Sequence, residues 1–163
     1  MNSPNPLFLR EEELDRGLEL LFFAGRQLHA DAAPLRAEGA MDETDHQALF
    51  VIERRPGCTL AELCAALGIS KQTLSRHVKR LADAGLVEQE ACPHDRRKRP
   101  LRLTGKATAT LARIHALQKR RLRLAFKSAG AAAVEGFRSV LLDLVPEPRR
   151  ELLRRRAADA GAP

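Results

Sequence analysis

The sequence predicts a mainly α fold, a series of amphipathic helices interrupted once by a small basic β-hairpin. Three observations carry that expectation. Apolar residues recur at three- and four-residue steps through most of the chain. Capping residues and glycines mark a helix, a tight turn and a second helix between Thr59 and Gly85. Two short alternating stretches then flank a cationic loop.

In order, residues 1–10 carry two prolines and read as an extended arm, whose Leu7, Phe8 and Leu9 are able to dock on a neighbouring surface. From Glu11 to about Ala30, Leu14, Leu18, Leu21, Phe22, Gly25 and Leu28 mark a long amphipathic helix, and Glu11, Glu12, Glu13 and Asp15 suit its N-terminus. A shorter helix is expected from Thr44 or Asp45 to Arg55, burying Leu49, Phe50 and Ile52 and stopping at Arg55-Pro56-Gly57. Thr59-Leu60-Ala61-Glu62 is a capping box, in which the threonine accepts from a free backbone amide while the glutamate reaches back. Leu60, Leu63, Cys64 and Leu67 form the inner side of the helix it starts, and Gly68 ends that helix. Ser70 is the N-cap of the next helix, Lys71 to Ala84, with Leu74, Val78 and Leu81 on one face before Gly85 closes it.

Leu86-Val87-Glu88-Gln89-Glu90 fits a strand, and Leu101-Arg102-Leu103 fits its partner across the loop. Thr104 then caps a helix reaching about Lys127, with Ala107, Leu111, Ile114, Leu117, Leu122 and Ala125 inward. At about 1.5 Å per residue it outruns a compact domain. After Ser128-Ala129-Gly130, Val134, Phe137, Val140, Leu141 and Leu144 mark another helix, and a last basic one follows around Leu152 and Leu153. No internal repeat is visible.

Charge narrows the partner. The formal net charge is +7 and the sequence pI about 10.0. Twelve of the 28 Lys and Arg, but one of the 21 Asp and Glu, lie between Cys92 and Lys127, so the excess is local and has the form of a phosphate-binding footprint. Leu20–Ala24 is a short apolar run within a charged segment, and no stretch approaches the roughly 20 apolar residues that span a bilayer. A soluble cytoplasmic protein with no membrane partner is expected. Cys58, Cys64 and Cys92 are odd in number and lack paired spacing, which argues against a disulfide framework.

Helix, glycine turn, helix and basic hairpin together describe a winged helix-turn-helix. In that arrangement the first helix packs across the second, whose polar side and N-terminus stay free to enter a major groove. With Leu74, Val78 and Leu81 buried, Lys71, Gln72, Thr73, Arg76, Lys79 and Arg80 project outward or lie near the exposed N-terminus. The expected double-stranded DNA contacts are Ser70, Lys71, Gln72, Thr73, Ser75, Arg76 and Lys79 from the second helix, and Arg96, Arg97, Lys98 and Arg99 from the wing. Gln72 and Arg76 have the donor and acceptor geometry to read adenine and guanine edges, whereas Lys, Ser and Thr more often hold phosphates. Wing cations suit phosphates or the narrow minor groove. Asp95, an acid beside four cations, is expected to pair with a nearby arginine and fix the wing's shape.

These residues resemble the MarR family of winged-helix regulators. The resemblance rests on Leu60-Ala61-Glu62-Leu63, Gly68-Ile69-Ser70, Leu81 through Gly85-Leu86-Val87, Asp95-Arg96-Arg97 and Leu101-Arg102-Leu103-Thr104, and covers roughly residues 12–145. Its most specific part is the wing, where the family's Asp-x-Arg pattern and following Leu-Thr match Asp95, Arg97, Leu103 and Thr104. Leu7 through Glu13 and Ala133 through Phe137 are also similar to a PetP-like subgroup. The resemblance implies a homodimer formed by N- and C-terminal helices, near-palindromic operators, and release by a small-molecule effector or by oxidation. It divides the chain into an arm (1–10), an N-terminal dimerisation helix and linker (11–43), a DNA-binding region (44–104) and C-terminal dimerisation helices (105–163). Pro100 departs from the family's apolar or β-branched residue, and because proline removes a ladder hydrogen bond it bears on wing geometry.

Other chemistry fits less well. Oxidation at Cys64 or Cys92 would disturb DNA binding, but Cys64 has the setting of ordinary core packing, and the family's first-helix peroxide-sensing cysteine is absent. Cys92 and His94 with His46 or His77 lack the four-ligand spacing of structural zinc, so no metal or cofactor is expected. His46 and His115 fit helix or dimer contacts. No Gly-rich phosphate loop, His-Glu metal motif or nucleophile elbow is present, so an enzyme is not expected. The rival reading is a winged helix that binds another protein.

Overall fold

A computed structural model describes residues 7–89, 99–147, 149–151 and 153–154. The chain divides at Gln118 into two compact units. The first begins with a 3-10 turn, Leu7–Leu9, and holds helices α1 (Glu11–Glu38), α2 (Glu43–Arg54), α3 (Leu60–Leu67) and α4 (Lys71–Asp83). Strands β1 (Val87–Gln89) and β2 (Leu101–Leu103) follow, then the start of α5 (Gly105–Ala129), which continues into the second unit ahead of α6 (Ala131–Leu144). The fold is mainly α with a two-stranded antiparallel sheet, a winged helix-turn-helix. No helix among the described residues is long and apolar enough to cross a membrane.

Local chemistry accounts for the boundaries. Asp42 and Asp45 form a capping box that starts α2 slightly ahead of the expected Thr44 or Asp45. The Thr59–Glu62 box stands at α3 as the sequence implies, with Thr59 N donating to Glu62 Oε2 at 2.7 Å. Gly68 takes φ +67° directly after α3, a left-handed turn that costs glycine little. Ser70 Oγ accepts from Thr73 N at 3.2 Å and opens α4. Helix α1 extends past the expected end near Ala30 and carries Pro34 inside it. Proline disturbs the helical ladder near its own turn. There Arg36 Nη1 donates to the His29 carbonyl at 3.0 Å, and the burial of Ala32 helps hold the C-terminal turns.

The core of the first unit is Leu49 and Ile52 from α2, Leu63 from α3, Leu74, Val78 and Leu81 from α4, and Ala107, Leu111 and Ile114 from α5, closed by Leu86, Val87 and Leu101. Several residues expected inside are not fully so. Leu60, Cys64 and Leu67 are half-buried. Phe50 is exposed, lying under the Arg54 guanidinium and edge-on to His115. Leu14, Leu18, Leu21 and Phe22 of α1, Leu117 and Ala125 of α5, and Phe137, Val140 and Leu144 of α6 are also exposed.

The strands pair Val87 with Leu103, Glu88 with Arg102 and Gln89 with Leu101. On its other side Leu101 meets Cys58, its N–H donating to the Cys58 carbonyl at 2.9 Å while Gly57 N–H donates back to the Leu101 carbonyl at 2.9 Å. Leu101 thus lies between two segments, opposite Gln89 in the ladder and hydrogen-bonded to the Gly57–Cys58 segment, and is wholly buried. Pro100 lies one residue before β2, outside the paired residues of the ladder.

Candidate nucleic-acid interface

Helix α4 separates its two faces cleanly. Leu74, Val78 and Leu81 are buried, while Lys71, Gln72, Arg76 and Lys79 are exposed and make no hydrogen bond or ion pair with another described residue. Gln72, Arg76 and Lys79 follow at steps of four and three, which places them on one side of the helix. Thr73 and Ser75 are half-buried. Ser70 and Thr73 are engaged with each other, Ser70 Oγ donating to Thr73 Oγ1 at 3.0 Å while it caps the helix. Among the described residues the exposed face therefore carries three cations and one amide without a side-chain partner, a combination able to neutralise phosphates and to offer bidentate hydrogen bonds.

Arg80 departs from the outward set expected of this helix. Its Nη2 bonds both Asp42 Oδ2 and Asp45 Oδ2, at the start of α2. His77 Nδ1 lies 2.9 Å from Asp45 Oδ1. Asp45 is almost completely buried, and its Oδ2 also accepts from the Asp42 amide at 3.1 Å. At Asp42 burial pushes the carboxyl upward, but the Asp45 amide, the Arg80 guanidinium and the His77 charge outweigh it and hold the group below its ordinary value. Hydrogen bonding to Asp42, against burial and with help from Asp45, pushes Arg80 up. Sequence reasoning missed Asp42 and Asp45. The available signal was Asp-x-x-Asp ahead of an apolar run, a capping box with aspartate in place of the glutamate or glutamine usually sought. Asp42, Asp45 and His77 bring three ligand-type atoms within 4.8 Å of one another, but the Arg80 guanidinium already supplies the positive charge there.

The base of the wing is tied to the end of α4. Thr104 Oγ1 donates to the Gly85 carbonyl at 2.8 Å and accepts from Ala107 N at 3.2 Å, capping α5 as it does so. Thr104 N donates to the Leu86 carbonyl, and Lys106 Nζ donates to the Ala84 carbonyl at 2.9 Å. Arg99 is exposed just ahead of β2. Asp95, Arg96, Arg97 and Lys98, with Cys92 and His94, lie outside the described residues, as does the expected pairing of Asp95 with an arginine. Burial, and then the charge of Glu62, pushes the Cys58 thiol up, which disfavours its thiolate.

Comparison with known proteins points the same way. The sequence profile of the MarR family matches residues 41–98. The chain is 39% identical over 135 residues to the HTH-type transcriptional regulator PetP of Rhodobacter capsulatus, covering 83% of this chain and 81% of that protein. Among solved structures it resembles a MarR family transcription regulator at TM-score 0.71 and 22% identity, over 96% of this chain and 97% of the other. It also resembles a mutant MarR from E. coli complexed with operator DNA, at TM-score 0.63 and 22% identity, over 87% of this chain and all of that one.

Proposed function

The chain belongs to the MarR family, and on that premise we propose that it is a sequence-specific double-stranded DNA-binding transcription regulator. The observation that carries this reading is the exposed, unpaired row Lys71, Gln72, Arg76 and Lys79 on the second helix of the helix-turn-helix. The E. coli relative complexed with operator DNA supports it. In this reading α4 enters the major groove, Gln72 and Arg76 meet base edges, and Lys71 and Lys79 meet phosphates alongside the hydroxyls of Ser70, Thr73 and Ser75. Arg96, Arg97, Lys98 and Arg99 hold the flanking minor groove, with Asp95 bracing the wing. The role is binding, with no catalytic step assigned.

Residues 44–104 form the DNA-binding region of this proposal, and the helices of 11–43 and 105–163 pair two copies. The exposed apolar rows of α1 and α6 support a homodimer. A two-fold dimer sets two recognition helices about 10 base pairs apart on a pseudo-palindrome. This reading places a small effector at the open cavity of about 500 Å³ between α1 and the first turn of α2, lined by Phe22, Gly25, Arg26, His29, Ala30 and Glu43. Selection from a random duplex library at moderate salt tests the proposal. An enriched inverted repeat with half-sites one helical turn apart is the expected result. Uniform binding would mark a nonspecific nucleic-acid binder, and no binding would favour a winged-helix protein-interaction module.

A further inference from the structure

The cluster joining α2 to α4 has a geometry that the DNA-contact reading of α4 leaves unused. Asp45 is 1% exposed, yet its carboxylate is fully engaged by the Asp42 amide, His77 and Arg80. Arg80 bridges two carboxylates from a single nitrogen. His77 and Arg80 are one turn apart on α4, and both partners lie in the N-terminal turn of α2. Two adjacent positions of the recognition helix are therefore pinned by charge-assisted bonds to one fixed point, which restrains rotation of α4 about its own axis as well as its separation from α2.

Resting on the DNA-binding reading above, we infer that Asp45 and Asp42 are positioning residues for sequence recognition. Through Arg80 and His77 they set the orientation in which α4 presents Gln72 and Arg76, and Arg80 belongs to this clamp and not to the phosphate contacts. A groove-reading helix needs its base-facing side chains placed to within a fraction of an ångström, whereas flexible cations find phosphates from many orientations. Loss of the clamp accordingly erodes discrimination between sequences and spares non-specific attraction.

The test uses the full chain, the duplex recovered by selection and an unrelated duplex, with affinities measured across a range of salt. The variants are Arg80→Gln, Arg80→Lys, Asp45→Asn and the double variant Asp45→Asn with Arg80→Gln. Lysine keeps the charge a phosphate requires, but its ammonium sits on a shorter and more flexible stem and does not reproduce the rigidly held guanidinium nitrogen that meets both carboxylates. The clamp predicts that Arg80→Lys and Arg80→Gln both weaken binding to the selected duplex by about tenfold, leave the unrelated duplex bound as before and keep the wild-type salt slope. It also predicts that the double variant is no weaker than Arg80→Gln, because both changes break one device. Arg80→Gln and Arg80→Lys alter only the exposed partner, so they report even where Asp45→Asn fails to fold. Three results overturn the inference: Arg80→Lys binding as wild type while Arg80→Gln lowers the salt slope by about one, which marks a phosphate contact; additive effects in the double variant; or Arg80 variants that discriminate as well as wild type. A wild-type chain with no preference between the duplexes overturns the DNA-binding reading itself, and this inference with it.

Discussion

His46 lies in the core side of α2, 8% exposed, and no described group hydrogen-bonds its Nε2. Burial first, then the charges of Arg36, His115 and His29, push its pKa from 6.5 down to about 4. The unfolded chain takes up this proton near 6.5 and the folded chain only near 4, so folding loses stability as pH falls through that window and is unaffected above it. A shift of this size corresponds to at most about 3–4 kcal/mol. The denaturation midpoint is expected to fall between pH of about 7 and 5, and His46→Gln to flatten that slope. An unchanged slope in the variant would remove His46 from the account. Asp42 adds a dependence of the same sign at lower pH, because a carboxyl held below its ordinary value gives up its contribution as pH drops through the folded value.

Among the elements, the link between the wing base and α4 rests on a single side chain to a large degree. Thr104 Oγ1 joins the Gly85 carbonyl to the Ala107 amide, so it fixes where β2 ends, where α5 begins and how both meet the end of the recognition helix. Thr104→Val keeps the shape and removes both bonds. It is expected to lower stability by about 1–2 kcal/mol in urea unfolding, and a loss below about 0.3 kcal/mol would contradict the assigned role. The same element shows what a sequence discloses. Caps, glycine turns and the three-and-four periodicity of Leu74, Val78 and Leu81 act over a few residues, so α3, α4 and both strands were legible. The bridge from Cys58 to Leu101 was not, since a one-residue strand has no period to read. The continuation of α1 past Pro34 was equally hidden, because burial of Ala32 and Leu35's packing against the core are tertiary facts that override a local breaker. Arg80 looked like its exposed neighbours, and only the fold brings Asp42 and Asp45 to it from more than 30 positions away.

For the whole molecule, the exposed apolar row of α1 bears on the proposed homodimer. Leu14, Leu18, Leu21 and Phe22 recur with helical spacing and stay in solvent in a single copy, as do Phe137, Val140 and Leu144 of α6. Such rows are costly to leave uncovered in a soluble chain. The double variant Leu18→Glu with Phe22→Glu is expected to sediment as a folded monomer at micromolar concentration and to bind a palindromic duplex at least about tenfold more weakly, since each half-site then binds alone. A dimer surviving both changes would place the interface elsewhere. The central claim, that the free face of α4 reads base sequence, is tested most directly by the ratio of affinities for the selected and an unrelated duplex in wild type and in Gln72→Ala with Arg76→Ala. The account predicts that the double variant loses most of this ratio, about 1–3 kcal/mol for each base-reading side chain, while still binding both duplexes at low salt. A ratio equal to wild type would contradict it and move recognition off this helix.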